Sequence, residues 1–369
     1  RFLRGGNQQG AFDSLLAAVR ELDAANRGQP LAALAGQIGE LPLLLGWKRQ
    51  AAFDRLLTEV RQLDVVDRGQ PLAALAGQIG ELPILLGGDR QTVFESLLTE
   101  VRQLDVVDRS QPLAALAGQI GGLPEGNRQL AFESLLTEVR QLDVVDRGQP
   151  LVAIAGQIGG LPEGNRQAAF DILLAAVCEL DVAGRGQPMA ALAGQIWMLP
   201  GNRQTAFDIL LAAVRELDVA GRGQPMAALA DQILRLPGGN QQAAFERLLA
   251  AVRELDVAER SLPLAALAGQ IWILPGGSRQ AAFESLLAVV RELDVAGRGQ
   301  PLAALAGQIL RLPGGNQQAA FDRLLAAVCE LDVAGRAQPL AALAGQIGGL
   351  PEGNRHVARD SLTAAYHSS

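Results

Sequence analysis

Histidine, tyrosine, lysine and cysteine, which commonly act as acids, bases or nucleophiles, are scarce in this 369-residue sequence. They occur only as His356, His367, Tyr366, Lys48, Cys178 and Cys329. The spacing of the two cysteines fits neither a disulfide framework nor a metal site. We therefore expect a protein that is not an enzyme, with no catalytic residue, no metal and no cofactor.

The composition sets broad limits on the class of protein. Apolar residues make up 49% of the chain, which is too many for a disordered polymer. The 32 basic and 39 acidic residues give a net charge of −7, which disfavours a general binder of polyanions. The sequence has neither a long apolar run nor a secretory leader at its start, so we expect a soluble protein that contacts no membrane.

A repeat of about 38 residues dominates the chain. Phenylalanine recurs nine times at intervals of 37 to 41 residues, at Phe12, Phe53, Phe94, Phe132, Phe170, Phe207, Phe245, Phe283 and Phe321. The 18 prolines supply two per repeat. A fixed period of this length is typical of repeat architectures, and it predicts nine tandem repeats over residues 7–353.

Each repeat carries two helical stripes. The first repeat has apolar residues at helical spacing from Phe12 to Leu22, which predicts helix A over about residues 8–22. Pro30 fits the first turn of a shorter helix B, which should end near Pro42. One such hairpin cannot bury both stripes, but stacked hairpins cover one another.

We therefore predict an all-α fold, an α-solenoid superhelix of nine helix–turn–helix repeats with a C-terminal cap. Residues 1–6 are interpreted as the remnant of an upstream repeat and residues 354–369 as the capping helix and tail. The cap is indicated by Arg359 and Thr363, which stand where the other repeats have phenylalanine and leucine.

Two sets of polar residues are constant between repeats. An aspartate follows helix A in each repeat, with an arginine four residues later, as at Asp23 and Arg27. We expect these residues to form ion pairs that order the loops. A glutamine at the end of helix B, as at Gln37, is expected to form a stacked amide ladder or a helix-end hydrogen bond, with a repeated ligand contact as the alternative.

Variation between repeats is concentrated in one dipeptide at the C-terminal end of helix B, between Gln-Ile and Leu-Pro. It is Gly-Glu or Gly-Gly in five repeats and carries larger side chains in repeats 5 to 8. A changeable dipeptide on a fixed frame is typical of a recognition strip, and tryptophan and arginine are enriched in binding hot spots. The predicted partner-binding residues are Trp197, Met198, Leu234, Arg235, Trp272, Ile273, Leu310 and Arg311. The alternative is that Trp197, Met198 and Trp272 only fill gaps between layers.

Part of the repeat is similar to that of transcription-activator-like effectors, within the broader class of αα repeats that includes TPR, HEAT and armadillo proteins. The similarity lies in Leu151–Gly160, with Arg166-Gln167-Ala168 and Leu173-Leu174 further on. It implies a short helix paired with a longer one and a dipeptide that reads DNA bases. The repeat here is longer, however, and repeat five has a net charge of −2, which opposes contact with a phosphate backbone. A protein partner is therefore favoured and a nucleic acid is the alternative.

The chain also resembles repeat-containing type III effectors of bacteria. Alanine, leucine, glycine and arginine dominate, and arginine outnumbers lysine by 31 to 1. The resemblance implies a virulence protein that is secreted into a host cell and binds a host protein there, and scarce lysine would limit its ubiquitination. Codon bias in a GC-rich genome is the alternative explanation for the excess of arginine over lysine. The predicted function is thus a non-catalytic repeat scaffold in the cytoplasm or in a host cell.

Overall fold

The computed structural model describes residues 5–40, 46–82 and 89–367. These residues form α-helices joined by turns, many of them 3₁₀ turns, and contain no β-strand. The chain divides into two compact units. The N-terminal unit comprises residues 1–184 with 198–200, and the C-terminal unit comprises residues 185–197 and 201–369.

Long A helices and short B helices alternate in the N-terminal unit. Its A helices are α1 (Gly5–Arg20), α3 (Gly46–Arg61), α5 (Asp89–Arg102), α7 (Glu125–Gln141) and α9 (Glu163–Cys178). Its B helices are α2 (Gly28–Ala35), α4 (Gly69–Ala76), α6 (Ser110–Ala117) and α8 (Gly148–Ala155).

The C-terminal unit has the same alternation and ends in a capping helix. Its B helices are α10 (Gly186–Ala193), α12 (Gly223–Gln232), α14 (Ser261–Gly269), α16 (Val295–Ala306) and α18 (Val333–Gln346). Its A helices are α11 (Arg203–Arg215), α13 (Gln241–Arg253), α15 (Gly276–Arg291) and α17 (Gln317–Cys329), and the cap is α19 (Glu352–His367).

In each unit the B helices stack on one another through alanine-rich faces, α2 to α8 in one unit and α10 to α18 in the other. The small side chains allow close approach, as Ala76 and Ala117 show by being fully buried. The repeated phenylalanines are also buried between layers. Both units are therefore α-solenoids, as the repeat predicted.

The helix bounds differ from the prediction in detail. Helix A of the first repeat covers Gly5–Arg20 rather than residues 8–22, so the segment interpreted as a remnant contributes to this helix. Helix B ends at Ala35, and a separate 3₁₀ turn follows at Ile38–Glu40. The α-helix ends early because Gly36 has a low helix propensity, and helix C-termini commonly tighten into 3₁₀ turns.

The capping helix α19 begins at Glu352, two residues before its predicted start, and packs on α17 and α18. Ala358 and Leu362 are buried against these helices, whereas Arg359 is exposed at the position that phenylalanine occupies elsewhere. The exposed arginine gives the last layer a polar outer face.

The loop arginines are engaged differently from the predicted ion pairs. Arg68 Nε donates to the carbonyl oxygen of Leu63 at 2.8 Å, and its Nη2 donates to that of Arg61 at 2.9 Å. Arg109 makes the equivalent two bonds in the next repeat. These carbonyls lie at the C-terminus of helix A, where the backbone lacks helical donors. The arginine therefore donates hydrogen bonds to the carbonyl oxygens at the end of helix A and does not form an ion pair with the loop aspartate.

Candidate functional site

The variable dipeptides lie in the 3₁₀ turns that follow the B helices. An isoleucine starts each turn, and Ile196 and Ile271 are fully buried. This anchor leaves the two following residues at the surface. Trp197, Trp272 and Leu234 are exposed by 40%, 42% and 36%, respectively.

The remaining predicted residues are also accessible. Arg235 and Arg311 are exposed, whereas Met198, Ile273 and Leu310 are half-buried. Met198 belongs to the N-terminal unit, and the other seven residues belong to the C-terminal unit. We call these seven residues the C-terminal strip.

Neighbouring dipeptides contact one another with an offset of one position. A Cβ atom added to Gly160 would lie 3.4 Å from Cα of Gly121, and one added to Gly159 would lie 2.8 Å from Cε of Met198. In both cases the first residue of one dipeptide faces the second residue of the next. The dipeptide of each repeat is therefore divided between two inter-repeat contacts.

The same offset pairs unlike side chains in the C-terminal unit. The guanidinium of Arg235 lies over the ring of Trp197, with its Cζ 5.6 Å from the ring centroid. The side chain of Leu310 fills the space beside Gly349. The dipeptides thus contact the next repeat and also remain exposed, so filling of gaps between layers does not remove them from the surface.

The constant glutamines form helix-end hydrogen bonds in the N-terminal unit. The Oε1 atoms of Gln78, Gln119 and Gln157 accept from the backbone N–H of the first dipeptide residue in the preceding repeat, at 2.9–3.1 Å. In the C-terminal unit the Oε1 atoms of Gln232, Gln270 and Gln308 are buried without a hydrogen-bond partner. The constant glutamines therefore accept hydrogen bonds from the dipeptide backbone in the N-terminal unit. In the C-terminal unit the three named Oε1 atoms are buried acceptors.

In several repeats an arginine near the start of helix A ties one dipeptide to the next, a role that the sequence reading missed. Arg128 Nε donates to the carbonyl oxygen of Leu123 at 2.8 Å, and its Nη1 donates to that of Gly160 at 2.9 Å. Arg279 bridges Leu274 and Arg311 in the same way. This contact fixes the backbone beneath the variable side chains.

The signal for this contact was present in the sequence. After each Leu-Arg dipeptide the bridging position holds glutamine instead, at Gln241 and Gln317. Gln241 Nε2 donates to the carbonyl oxygens of Leu234 and Leu236 at 3.1 and 3.2 Å. Arg203 Nη1 also donates to the carbonyl oxygen of Arg235 at 3.2 Å, so an amide and a guanidinium both contact the backbone of this dipeptide.

One carboxylate near the C-terminal strip has a shifted pKa. Asp231 stands where the other eight repeats have glycine. Partial desolvation of its carboxyl group raises the pKa, and a 3.5 Å hydrogen bond from Gln270 Nε2 lowers it to a smaller extent. Asp231 therefore retains its proton to a higher pH than an ordinary aspartate.

A second surface feature was not predicted. A groove of about 650 Å³ runs along the inter-helix loops of the N-terminal unit and is lined by aspartates and glutamines, including Asp67, Asp108, Gln70 and Gln111. Val-Val-Asp occurs only in repeats 2 to 4, and this recurrence was the sequence signal for the groove.

Within the described residues, no group of three or more histidine, cysteine, aspartate or glutamate side chains could hold a metal ion. The thiols of Cys178 and Cys329 are exposed at the ends of α9 and α17. No described helix is both long and apolar enough to cross a lipid bilayer.

Comparison with known proteins gives no family assignment. No protein-family model and no curated protein matches the sequence. An engineered protein of known crystal structure is similar over 96% of this chain and 98% of its own, with 13% identity and a TM-score of 0.39. The NOT1 superfamily homology domain from Chaetomium thermophilum is similar over 91% of this chain and 87% of its own, with 10% identity and a TM-score of 0.23. The class of the protein, a helical-repeat α-solenoid, is defined by its own helices and their contacts.

Proposed function

We propose that the protein is a non-catalytic scaffold that binds another protein along the C-terminal strip. The observation that supports this proposal most directly is the exposure of Trp197 and Trp272 on turns whose isoleucines are fully buried. Large aromatic side chains at a surface are typical anchors of protein interfaces. Because the turns are fixed by the packed helices beneath them, binding would require little ordering of the scaffold.

The test compares the wild-type protein with the double variant Trp197→Ala/Trp272→Ala as bait in host lysate, with and without nuclease. A protein captured by the wild type and lost from the double variant supports the proposal, provided that capture survives nuclease. The variant Leu15→Ala is the matched control, because Leu15 is exposed at 56% outside the strip. Equal capture by wild type and double variant contradicts the proposal, and nuclease-sensitive capture favours the nucleic-acid reader.

We also propose that the scaffold acts as a bacterial effector inside a host cell. The composition supports this setting, since lysine occurs once in 369 residues while arginine occurs 31 times. The experiment replaces several exposed arginines by lysine, which keeps the charge and adds ubiquitination sites. A shorter lifetime in eukaryotic cytosol is expected, and an unchanged lifetime would remove this part of the proposal.

A further inference from the structure

Arg235 and Arg311 are the two arginines of the C-terminal strip. Several arginines elsewhere in this unit are paired with carboxylates, as in Arg247–Asp208 at 2.7 Å and Arg260–Glu292 at 3.1 Å. Within the described residues, no carboxylate lies within ion-pair distance of Arg235 or Arg311. Their guanidinium groups are exposed cations with capacity for an acidic ligand.

The two arginines occupy the same dipeptide position, two repeats apart. The guanidinium of Arg235 lies over the ring of Trp197, and Trp272 is an exposed ring at the first dipeptide position of the repeat before Arg311. A ring against one face of a guanidinium leaves the N–H groups at its edge able to donate, and a carboxylate can accept two of them. Between the two positions lie Leu234 and Ile273, which are partly exposed and apolar.

The charge of the unit favours separate carboxylates over a polyphosphate. Its sequence contains sixteen arginines and sixteen acidic residues, so it lacks the positive excess that a nucleic-acid backbone requires. Duplex DNA carries a charge about every 1.7 Å along its axis. Two exposed arginines two repeats apart would neutralise only a small part of it, but they can pair individually with two acidic side chains.

The repeat geometry sets the spacing of those acids. Packed helices lie about 8–10 Å apart, so two repeats span roughly 16–20 Å. An extended chain advances about 3.3–3.6 Å per residue, which corresponds to about five or six residues over this span.

We propose that the C-terminal strip binds an extended acidic segment of its partner protein. Two aspartate or glutamate side chains, about five or six residues apart, contact Arg235 and Arg311. An apolar side chain midway between them contacts Leu234 and Ile273. This inference rests on the proposed protein-binding function and adds the chemistry of the segment.

The first experiment selects a random 12-residue peptide library on the wild-type protein, with counter-selection on Trp197→Ala/Trp272→Ala. Enrichment of peptides with two acidic residues five or six positions apart and an apolar residue between them is expected. Enriched peptides without such a pair overturn this inference but leave the protein-binding function in place. Peptides that bind the double variant equally well contradict both, and the absence of any enriched peptide also overturns the inference.

The second experiment measures affinity by fluorescence anisotropy with a labelled peptide that carries two aspartates six residues apart and a central leucine. Arg235→Gln or Arg311→Gln should weaken binding about tenfold or more, whereas Arg215→Gln, on the exposed face of α11, should leave it unchanged. Exchange of either peptide aspartate for asparagine should cost a similar factor. Equal affinity for these variants, or tighter binding of a single-stranded oligonucleotide that depends on the same arginines, would overturn the inference.

Discussion

Arg61 Nε donates to Oε1 of Glu100 at 2.7 Å, and this contact joins two successive A helices. The two partners differ in burial, because the side chain of Arg61 is 48% exposed and that of Glu100 only 8%. Arg102 and Glu138 repeat the arrangement one layer further on, at 2.8 Å. A nearly buried carboxylate in each of these layers therefore depends on one half-exposed guanidinium.

This asymmetry predicts unequal effects of the two single substitutions. Arg61→Ala should lower the free energy of unfolding by about 1–3 kcal/mol, because it leaves Glu100 buried without its partner. Glu100→Ala should cost less, since Arg61 can be solvated and alanine already occupies the equivalent position in α13. Urea denaturation of both variants and of the double variant tests this, and equal losses for the two single variants would contradict it.

Two residues on helix α9 differ in burial. Phe170 is 1% exposed and Ile172 is 41% exposed. Phe170→Ala should cost about 3–5 kcal/mol through lost burial and a cavity. Ile172→Ala is the matched control and should change the free energy of unfolding by about 0.5 kcal/mol or less. Similar losses for both would mean that the two side chains are equally buried in solution.

Gly186 begins helix α10 in close contact with the next repeat. A Cβ atom at this position would lie 3.0 Å from the carbonyl oxygen of Gly221. Ser261, at the corresponding position of α14, donates its hydroxyl to the carbonyl oxygen of Gly297 at 2.7 Å. Gly186→Ser should therefore preserve or raise the melting temperature.

Gly186→Val cannot form this hydrogen bond and crowds the same carbonyl. It should lower the free energy of unfolding by about 1–3 kcal/mol. Calorimetry on the serine and valine variants provides the comparison. If both variants are as stable as wild type, residue 186 does not lie in close contact with the carbonyl oxygen of Gly221.

The raised pKa of Asp231 gives a pH dependence with a definite sign. Folded Asp231 holds its proton more tightly than unfolded Asp231, so its contribution to stability falls as the pH rises from the ordinary carboxyl range through the raised pKa. Asp231→Asn should be more stable than wild type near pH 7, and the difference should shrink near pH 3.5. Melting temperatures across this range test the sign; a difference independent of pH would show that the carboxyl group is not responsible.

Trp197 and Arg235 should be energetically coupled. A double-mutant cycle with Trp197→Ala and Arg235→Ala should give a coupling free energy of about 0.5–1 kcal/mol, as expected for an exposed cation–π contact. Trp197 with Arg215, which lies on α11 outside the strip, is the control pair and should show no coupling. A coupling near zero for both pairs would show that the stacked arrangement is not populated in solution.

The fold was predictable because the apolar spacing repeats nine times, so the buried phenylalanines and the hairpin pattern follow directly from the sequence. The dipeptides were expected at the C-terminal end of helix B, whereas they lie in 3₁₀ turns after that helix. The partners of Arg68 were not predictable, since an aspartate four residues before it suggests an ion pair, whereas carbonyls at a helix end compete for the same donors.

The offset between dipeptides was not predictable for a different reason. Adjacent residues such as Trp197 and Met198 read as one pair in sequence, but the stacking of the turns directs them to opposite neighbours. Their contacts depend on the geometry between layers, which a pattern within one repeat does not contain.

Because each dipeptide is shared between two layers, single layers of the C-terminal unit are not interchangeable parts. Excision of the layer with Leu234 and Arg235 would set Trp197 opposite Ile273 and remove the ring–guanidinium stack. Excision of the two layers that hold Leu234-Arg235 and Trp272-Ile273, 76 residues as measured from Arg235 to Arg311, would instead set Trp197 opposite Arg311 and restore a ring–guanidinium pair. Lengthening or shortening of this array by recombination should therefore be tolerated best in even numbers of layers.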